Sequence, residues 1–287
     1  MKKLLVLVLV ALCCFGCSEQ PSDGEQNQDS KPNITKKTVK IAEQLVYEDK
    51  TMTIVAKEST IDLNQDAMFI NFEITNHSNK AINIYSESMM LNNVSVNGHL
   101  WAEVAPNSTQ QCFSEYYQSR NPEMDLESIA SITYRLYLSK MGKNDYETYK
   151  TTDFLTITTD DPDYVYQFEE KGTLEMDVDG YKIWSLGTFE DEEEAYVILC
   201  FANETDTNVR IQTSKVIVNG YVPKKTYGDY ALPPHSYYYG TTSASLEDLA
   251  KVNSTSIKSV TLEVQVMRQG DDKRMIDKQT ILIDTEK

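Results

Sequence analysis

Three histidines, five cysteines and two dense runs of carboxylates are the residues of this chain whose types could do chemistry. His77, His99 and His235 lie far apart, and none belongs to an H-E-x-x-H pair, the spacing that sets two imidazoles and a general base on one helix face. No G-x-S-x-G, P-loop or G-x-G-x-x-G occurs, so the sequence shows no backbone cradle for an oxyanion or a phosphate. Cys14-Phe15-Gly16-Cys17 has C-x-x-C spacing, but it closes an apolar segment instead of sitting beside a βαβ pattern, so a redox or zinc role fails on context. Glu190-Asp191-Glu192-Glu193-Glu194 and Asp160-Asp161-Pro162-Asp163 offer the hard oxygens calcium prefers, without EF-hand spacing, and read as solvated loops. The chain is expected to be no enzyme and to hold no cofactor or metal.

Tyrosine is the residue in excess, with 18 copies. Tyr227, Tyr230, Tyr237, Tyr238 and Tyr239 cluster late in the chain and are the candidate binding residues. Exposed phenols can stack on sugars or anchor a protein partner.

These groups need elements to position them, and the first element is an export signal. Met1-Lys2-Lys3 is followed by a 12-residue apolar run, Leu4 to Phe15, and then Gly16-Cys17. That run is shorter than the roughly 20 residues a membrane-spanning helix needs. The layout of cationic start, short apolar core and small residue is that of a secretory signal. Gly16-Cys17 resembles the lipobox of bacterial lipoproteins, although Cys14 and Phe15 depart from its usual Leu-Ala pair. The resemblance implies that residues 1–16 are removed and that Cys17 is lipidated, anchoring the chain to a lipid bilayer on the extracytoplasmic face of the cell membrane; two acyl chains suffice for stable anchoring. Residues 17–37 are polar and charged with almost no large apolar side chain, and read as a disordered stalk. The net charge is −17, and losing Lys2 and Lys3 with the signal takes it to −19, which argues against nucleic acid as a partner.

The remainder reads as one unit written twice. Ile70, Phe72 and Ile74 before Asn76-His77-Ser78 match Val197, Leu199 and Phe201 before Asn203-Glu204-Thr205. Val94-Ser95-Val96-Asn97-Gly98 is placed on Val216-Ile217-Val218-Asn219-Gly220, which implies five extra residues near Met89 and Met90 in the first copy and makes Asn97-Gly98 and Asn219-Gly220 hairpin turns. Leu126-Glu127-Ser128-Ile129 and Leu246-Glu247-Asp248-Leu249 read as short helical turns, the second capped by Ser245. Val178-Asp179-Gly180-Tyr181 reads as a further tight turn. Six Asn-x-Ser/Thr triplets read as turn chemistry. Many short β-branched and aromatic strands between turns predict an all-β chain of two tandem immunoglobulin-like β-sandwich domains. The expected division is 38–159 for domain 1, 160–171 for a linker and 172–287 for domain 2. Cys112 and Cys200 fall in different domains and are expected to be free thiols.

This pattern resembles Firmicute-type cell-surface lipoproteins with tandem immunoglobulin-like domains of unknown function. The resemblance implies the fold and carries over no site residue. The functional expectation is non-catalytic binding or scaffolding of an unknown protein or glycan ligand; the alternatives are a carbohydrate-binding protein using exposed Tyr loops, and a hydrolase with a loop-built site.

Overall fold

The computed structural model describes residues 38–118, 124, 126–142, 145–168, 172–223, 228–271 and 273–286. The expected signal, Cys17 and the stalk lie outside them, as does Tyr227. Alternation of apolar and polar residues makes the strands: Ala67–Asn76 turns every second side chain inward, as does Ser259–Arg268. The first half contains β1 (Thr38–Ile41), β2 (Gln44–Glu48), β3 (Met52–Ala56), β4 (Ser59–Asp62), β5 (Ala67–Asn76), β6 (Ile82–Leu91), β7 (Val94–Val96), β8 (Gly98–Val104), β9 (Ser108–Tyr117), β10 (Ser131–Met141), β11 (Tyr146–Thr151) and β12 (Leu155–Thr158). The second contains β13 (Thr173–Val178), β14 (Tyr181–Glu190), β15 (Glu194–Asn203), β16 (Val209–Val218), β17 (Gly228–Leu232), β18 (Ser236–Ser245), the helix α1 (Leu246–Lys251), β19 (Ser259–Arg268) and β20 (Arg274–Asp284).

The chain is an all-β protein of sandwich architecture. In the first sandwich the order β2-β3-β5-β9-β8 continues through β8 into β6 and β10, with β11 and β12 along β10. β8 serves both sheets: Gly98–Leu100 pair with β9, and Trp101–Val104 pair with β6. In the second sandwich β13-β14-β15-β18 covers β17-β16-β19-β20. Each half has its own apolar core, although the whole from Thr35 to Lys287 forms one compact unit.

One side chain per copy ties the strand ends together. Asn76 is fully buried; its amide donates to the carbonyls of Lys80, Val104 and Ala105, and its oxygen accepts from Ser78 N. Asn203 repeats this with Thr207, Leu232, Pro233 and Thr205. The Asn-x-Ser/Thr triplets are therefore turn chemistry at these two places, and Asn93, Asn107 and Asn253 sit at positive φ in turns; Asn33 lies outside the described residues.

The structure corrects the register of the repeat. Asn97-Gly98 makes no positive-φ turn; the first-copy hairpin is Asn92-Asn93, with φ of 52° and 66°, and Leu91 pairs with Val94 across it. Asn92 binds Ser128 O and Ala130 N, and Asn219 binds Ser256 O and Lys258 N in the same way. Asn92 and Asn219 stand 127 positions apart (219 less 92), as do Asn76 and Asn203 (203 less 76), so there is no five-residue insertion near Met89. Identical Val-Asn-Gly lettering misled the pairing. Side-chain bonds to backbone, not the glycine, define the equivalent turn. Asp179-Gly180 is a tight turn as expected, and Ser245 caps α1 by accepting from Asp248 N. Leu126–Ile129 does not form the helical turn expected of it.

Candidate functional site

The tyrosine run does not form an exposed platform, which corrects the expectation of Tyr loops open to solvent. Consecutive strand residues face opposite ways, so Tyr237-Tyr238-Tyr239 on β18 is divided between two interiors. Tyr238 packs on Tyr230 at 4.6 Å, Tyr230 packs on Phe201 at 4.8 Å, and both belong to the second core. Burial pushes the Tyr230 phenol up to about 12, with Tyr238 adding to the effect. Tyr237 and Tyr239 turn to the seam between the sandwiches, against the first core and against Trp184, Cys200 and Ala202. Tyr237 stacks on Phe168 at 3.9 Å and 11°, and its N–H donates to Asn93 O, the backbone link that joins β18 to β7.

The same seam has a polar half. Arg135 on β10 pairs with Glu87, which sits at a bulge in β6, and Tyr137 donates to Glu87 at 2.6 Å. Gln269 of the second sandwich, with its amide oxygen toward Arg135, accepts twice at 2.6 Å. Arg210, held by both oxygens of Asp229, lies close enough to act electrostatically on Glu87 and Tyr137. Asp160 and Asp161 of the acidic boundary are likewise engaged, by Lys40 N and the Ser128 hydroxyl. Among the described residues no group of three His, Cys, Asp or Glu is placed to hold a metal ion. His235 is exposed beside an exposed Asp206. Cys112 and Cys200 are free thiols; burial raises Cys112 to about 11 and Cys200 further.

Phe189 of the second sandwich is exposed and stacks on Tyr196, but the larger group of exposed aromatics lies on the first sandwich, at residues that sequence reasoning passed over. Phe69 on β5, Phe113 on β9, Trp101 on β8 and Tyr85 on β6 are 44, 53, 57 and 39 % exposed. Phe69 meets Phe113 edge-on at 5.5 Å. Leu100 pairs with Ser114, so alternation sets the next residue, Trp101, outward beside Phe113. Trp101 then pairs with Tyr85, whose ring is 5.0 Å from Tyr137 on β10. Four exposed aromatics from four successive strands thus form an outward stripe, Phe69 and Phe113 on β5 and β9 and Trp101 and Tyr85 on β8 and β6, which bends where β8 passes from one sheet to the other; Tyr137 borders its end from the seam. Hydrogen-bonding groups flank it: Glu73 with Gln111 at 2.9 Å, and Glu115 with His99 at 3.3 Å. A visible signal was available, since Phe69, Phe113, Tyr85 and Trp101 all occupy polar-phase positions of alternating strands.

No family model matches this sequence, and no curated protein matches it. Similar solved structures include Bacteroides uniformis beta-glucuronidase 2 covalently bound to cyclophellitol-6-carboxylate aziridine (11 % identity, TM-score 0.24, covering 85 % of this chain and 32 % of that one). Red sea bream transglutaminase is similar at 10 % identity and TM-score 0.22, over 85 % of this chain and 31 % of that one. A protein of unknown function from Porphyromonas gingivalis W83 is similar at 9 % identity and TM-score 0.20, over 76 % of this chain and 91 % of that one. The chain spans about a third of the length of the first two.

Proposed function

We propose that this chain is a lipid-anchored extracytoplasmic binding protein that performs no covalent chemistry, and that its recognition face is the aromatic stripe of the first sandwich, which takes a neutral glycan chain. The stripe carries the reading. Monomeric proteins rarely leave a contiguous apolar patch without a use for it, and exposed aromatic rings such as Trp101 and Tyr85 are surfaces on which the C–H faces of neutral sugar rings stack. The carboxylates beside the stripe and the net charge of −17 disfavour anionic polymers and anionic lipid headgroups. Gly16-Cys17 and the polar residues 17–37 support a tether that presents the sandwiches away from the bilayer. No helix of the described residues is long and apolar enough to cross a membrane.

The test is binding of residues 18–287 to an array of neutral and charged glycans, with a pull-down of envelope proteins alongside. A neutral-glycan signal lost in Trp101→Ala and Tyr85→Ala is expected. A blank array with a specific protein retained through the same residues would replace the glycan by a scaffolded protein partner.

A further inference from the structure

The two copies carry different side chains on the same outward face. In the first, Tyr85 of β6 pairs with Trp101 on one side and Tyr137 on the other. In the second, Gln212 of β16 pairs with Asp229 and Gln265. These are equivalent positions, 127 or 128 residues apart, in the register set by Asn76/Asn203 and Asn92/Asn219. What is an aromatic face in one copy is a face of planar polar groups in the other.

Those polar groups hold one cation in place. Arg210 donates from Nε and Nη2 to the two oxygens of Asp229, at 3.0 and 2.6 Å. Gln212 donates to Asp229 at 3.1 Å, and Gln265 donates to Gln212 at 2.6 Å. A guanidinium carries five N–H donors in one plane. Asp229 takes the pair along its side; the parallel pair at its end, one N–H from each Nη, stays unengaged among the described residues. Arg210 stands between Ala231 of β17 and Met267 of β19, where the first copy has the uncharged Asn83, and its side chain is 32 % exposed.

The seam brings this cation to the stripe. Arg210 lies near the start of β16, and Asn208 just before that strand accepts from Gln269 N. Gln269 accepts from Arg135, Arg135 pairs with Glu87, and Tyr137 donates to Glu87. The Tyr137 ring is 5.0 Å from Tyr85. Glu87 and Tyr137 also act on Arg210 across the seam. Two guanidiniums, Arg135 and Arg210, face two carboxylates, Glu87 and Asp229, so the junction offers oriented donors without net charge.

We infer that Arg210 is a specificity-determining residue of a composite glycan site: sugar rings stack on Trp101 and Tyr85 of the first sandwich, and the end-on N–H pair of Arg210 in the second donates to neighbouring hydroxyls of the same chain. The inference rests on the proposed glycan reading and adds the second sandwich to it. Ligand sites concentrate where domains meet. A donor fixed in its plane beforehand loses little freedom when the ligand arrives, and the hydroxyl oxygens of neutral sugars are acceptors for it.

The test is isothermal titration calorimetry of residues 18–287 with cellohexaose, xylohexaose and maltohexaose, with a thermal melt of each variant. One hexasaccharide is expected to bind saturably, and Trp101→Ala to abolish that binding. Arg210→Ala and Arg210→Lys are each expected to weaken it about tenfold or more. Lysine keeps the charge that faces Glu87 and Tyr137 but lacks the planar fork, so it carries the test if Arg210→Ala lowers the melting temperature. Full affinity in Arg210→Lys would assign the residue to the electrostatics of the seam and overturn the inference. Binding lost in Trp101→Ala but unchanged in both Arg210 variants would overturn it too, and leave the stripe reading standing. Saturable binding of none of the three hexasaccharides at millimolar concentration would overturn both.

Discussion

The two sandwiches share a plan and have exchanged surfaces. The first fills its interior with Phe72, Tyr116 and Tyr134 and carries its exposed aromatics outside, at Phe69, Phe113, Trp101 and Tyr85. The second draws Tyr230 and Tyr238 inward, lends Tyr237 and Tyr239 to the seam, and sets Leu199 and Leu262 where the first has Phe72 and Tyr134. Duplication allows this. Once two copies dock into one unit, either can relax a packing constraint that a lone domain of this size must satisfy. What stays common is the part that closes the fold: the buried asparagine at the end of β5 or β15, and the hairpin asparagine after β6 or β16.

That comparison can be broken most directly at the buried asparagines. Asn76→Ala and Asn203→Ala each strand several buried carbonyls, and each is expected to cost about 3 kcal/mol of stability, read from denaturant unfolding. A much smaller cost for Asn203 would show that the two closures are not equivalent. Next in size is the exchange of core residues. Tyr134→Leu opens a void in a close-packed interior and removes the Ser114 bond, for a loss of roughly 2 to 3 kcal/mol. Leu262→Tyr in the second core is expected to cost about 1 to 3 kcal/mol, because Leu262 is fully buried and the larger ring must displace its neighbours. A cost near zero would mean that the second core has room for the ring. Smaller still, Trp101→Ala is expected to change stability by about 0.5 kcal/mol or less, as for an exposed side chain, while removing glycan binding.

The last expected effect concerns pH. Burial opposes ionisation of Asp49, but bonds from the Tyr47 hydroxyl, the Thr51 hydroxyl and the amides of Thr51 and Met52 outweigh it and hold the carboxyl down to about 2. A lowered folded value means that the unfolded chain takes up this proton first. The contribution is therefore complete above about pH 4 and is lost as pH falls toward 2. Acid titration of the melting temperature in the wild type and Asp49→Asn checks the sign: the variant is expected to lose this component of the acid sensitivity.

Much of the fold was legible because strand pairing here follows alternation. Ile70, Phe72 and Ile74, and their partners Val197, Leu199 and Phe201, point inward as the period of two requires. The candidate site was less so. Counting tyrosines found Tyr237, Tyr238 and Tyr239 but not their surroundings, and adjacency in sequence became opposition in space. The stripe is illegible in the sequence because its members come from four strands spread over residues 69 to 113, so no local window contains it.

By itself, the sequence determined the all-β class, the duplication, and the turn chemistry of Asn76, Asn203 and Asp179-Gly180, because these depend on local backbone geometry and on a period of two. The tertiary structure alone decided that Asn92, not Asn97, mirrors Asn219, that the tyrosine run lies in interiors and a seam, and that exposed aromatics from separate strands of the first copy come together. Those properties depend on which strands become neighbours, and neighbours in a sheet are chosen by the burial of whole faces, a quantity summed over residues far apart in the chain.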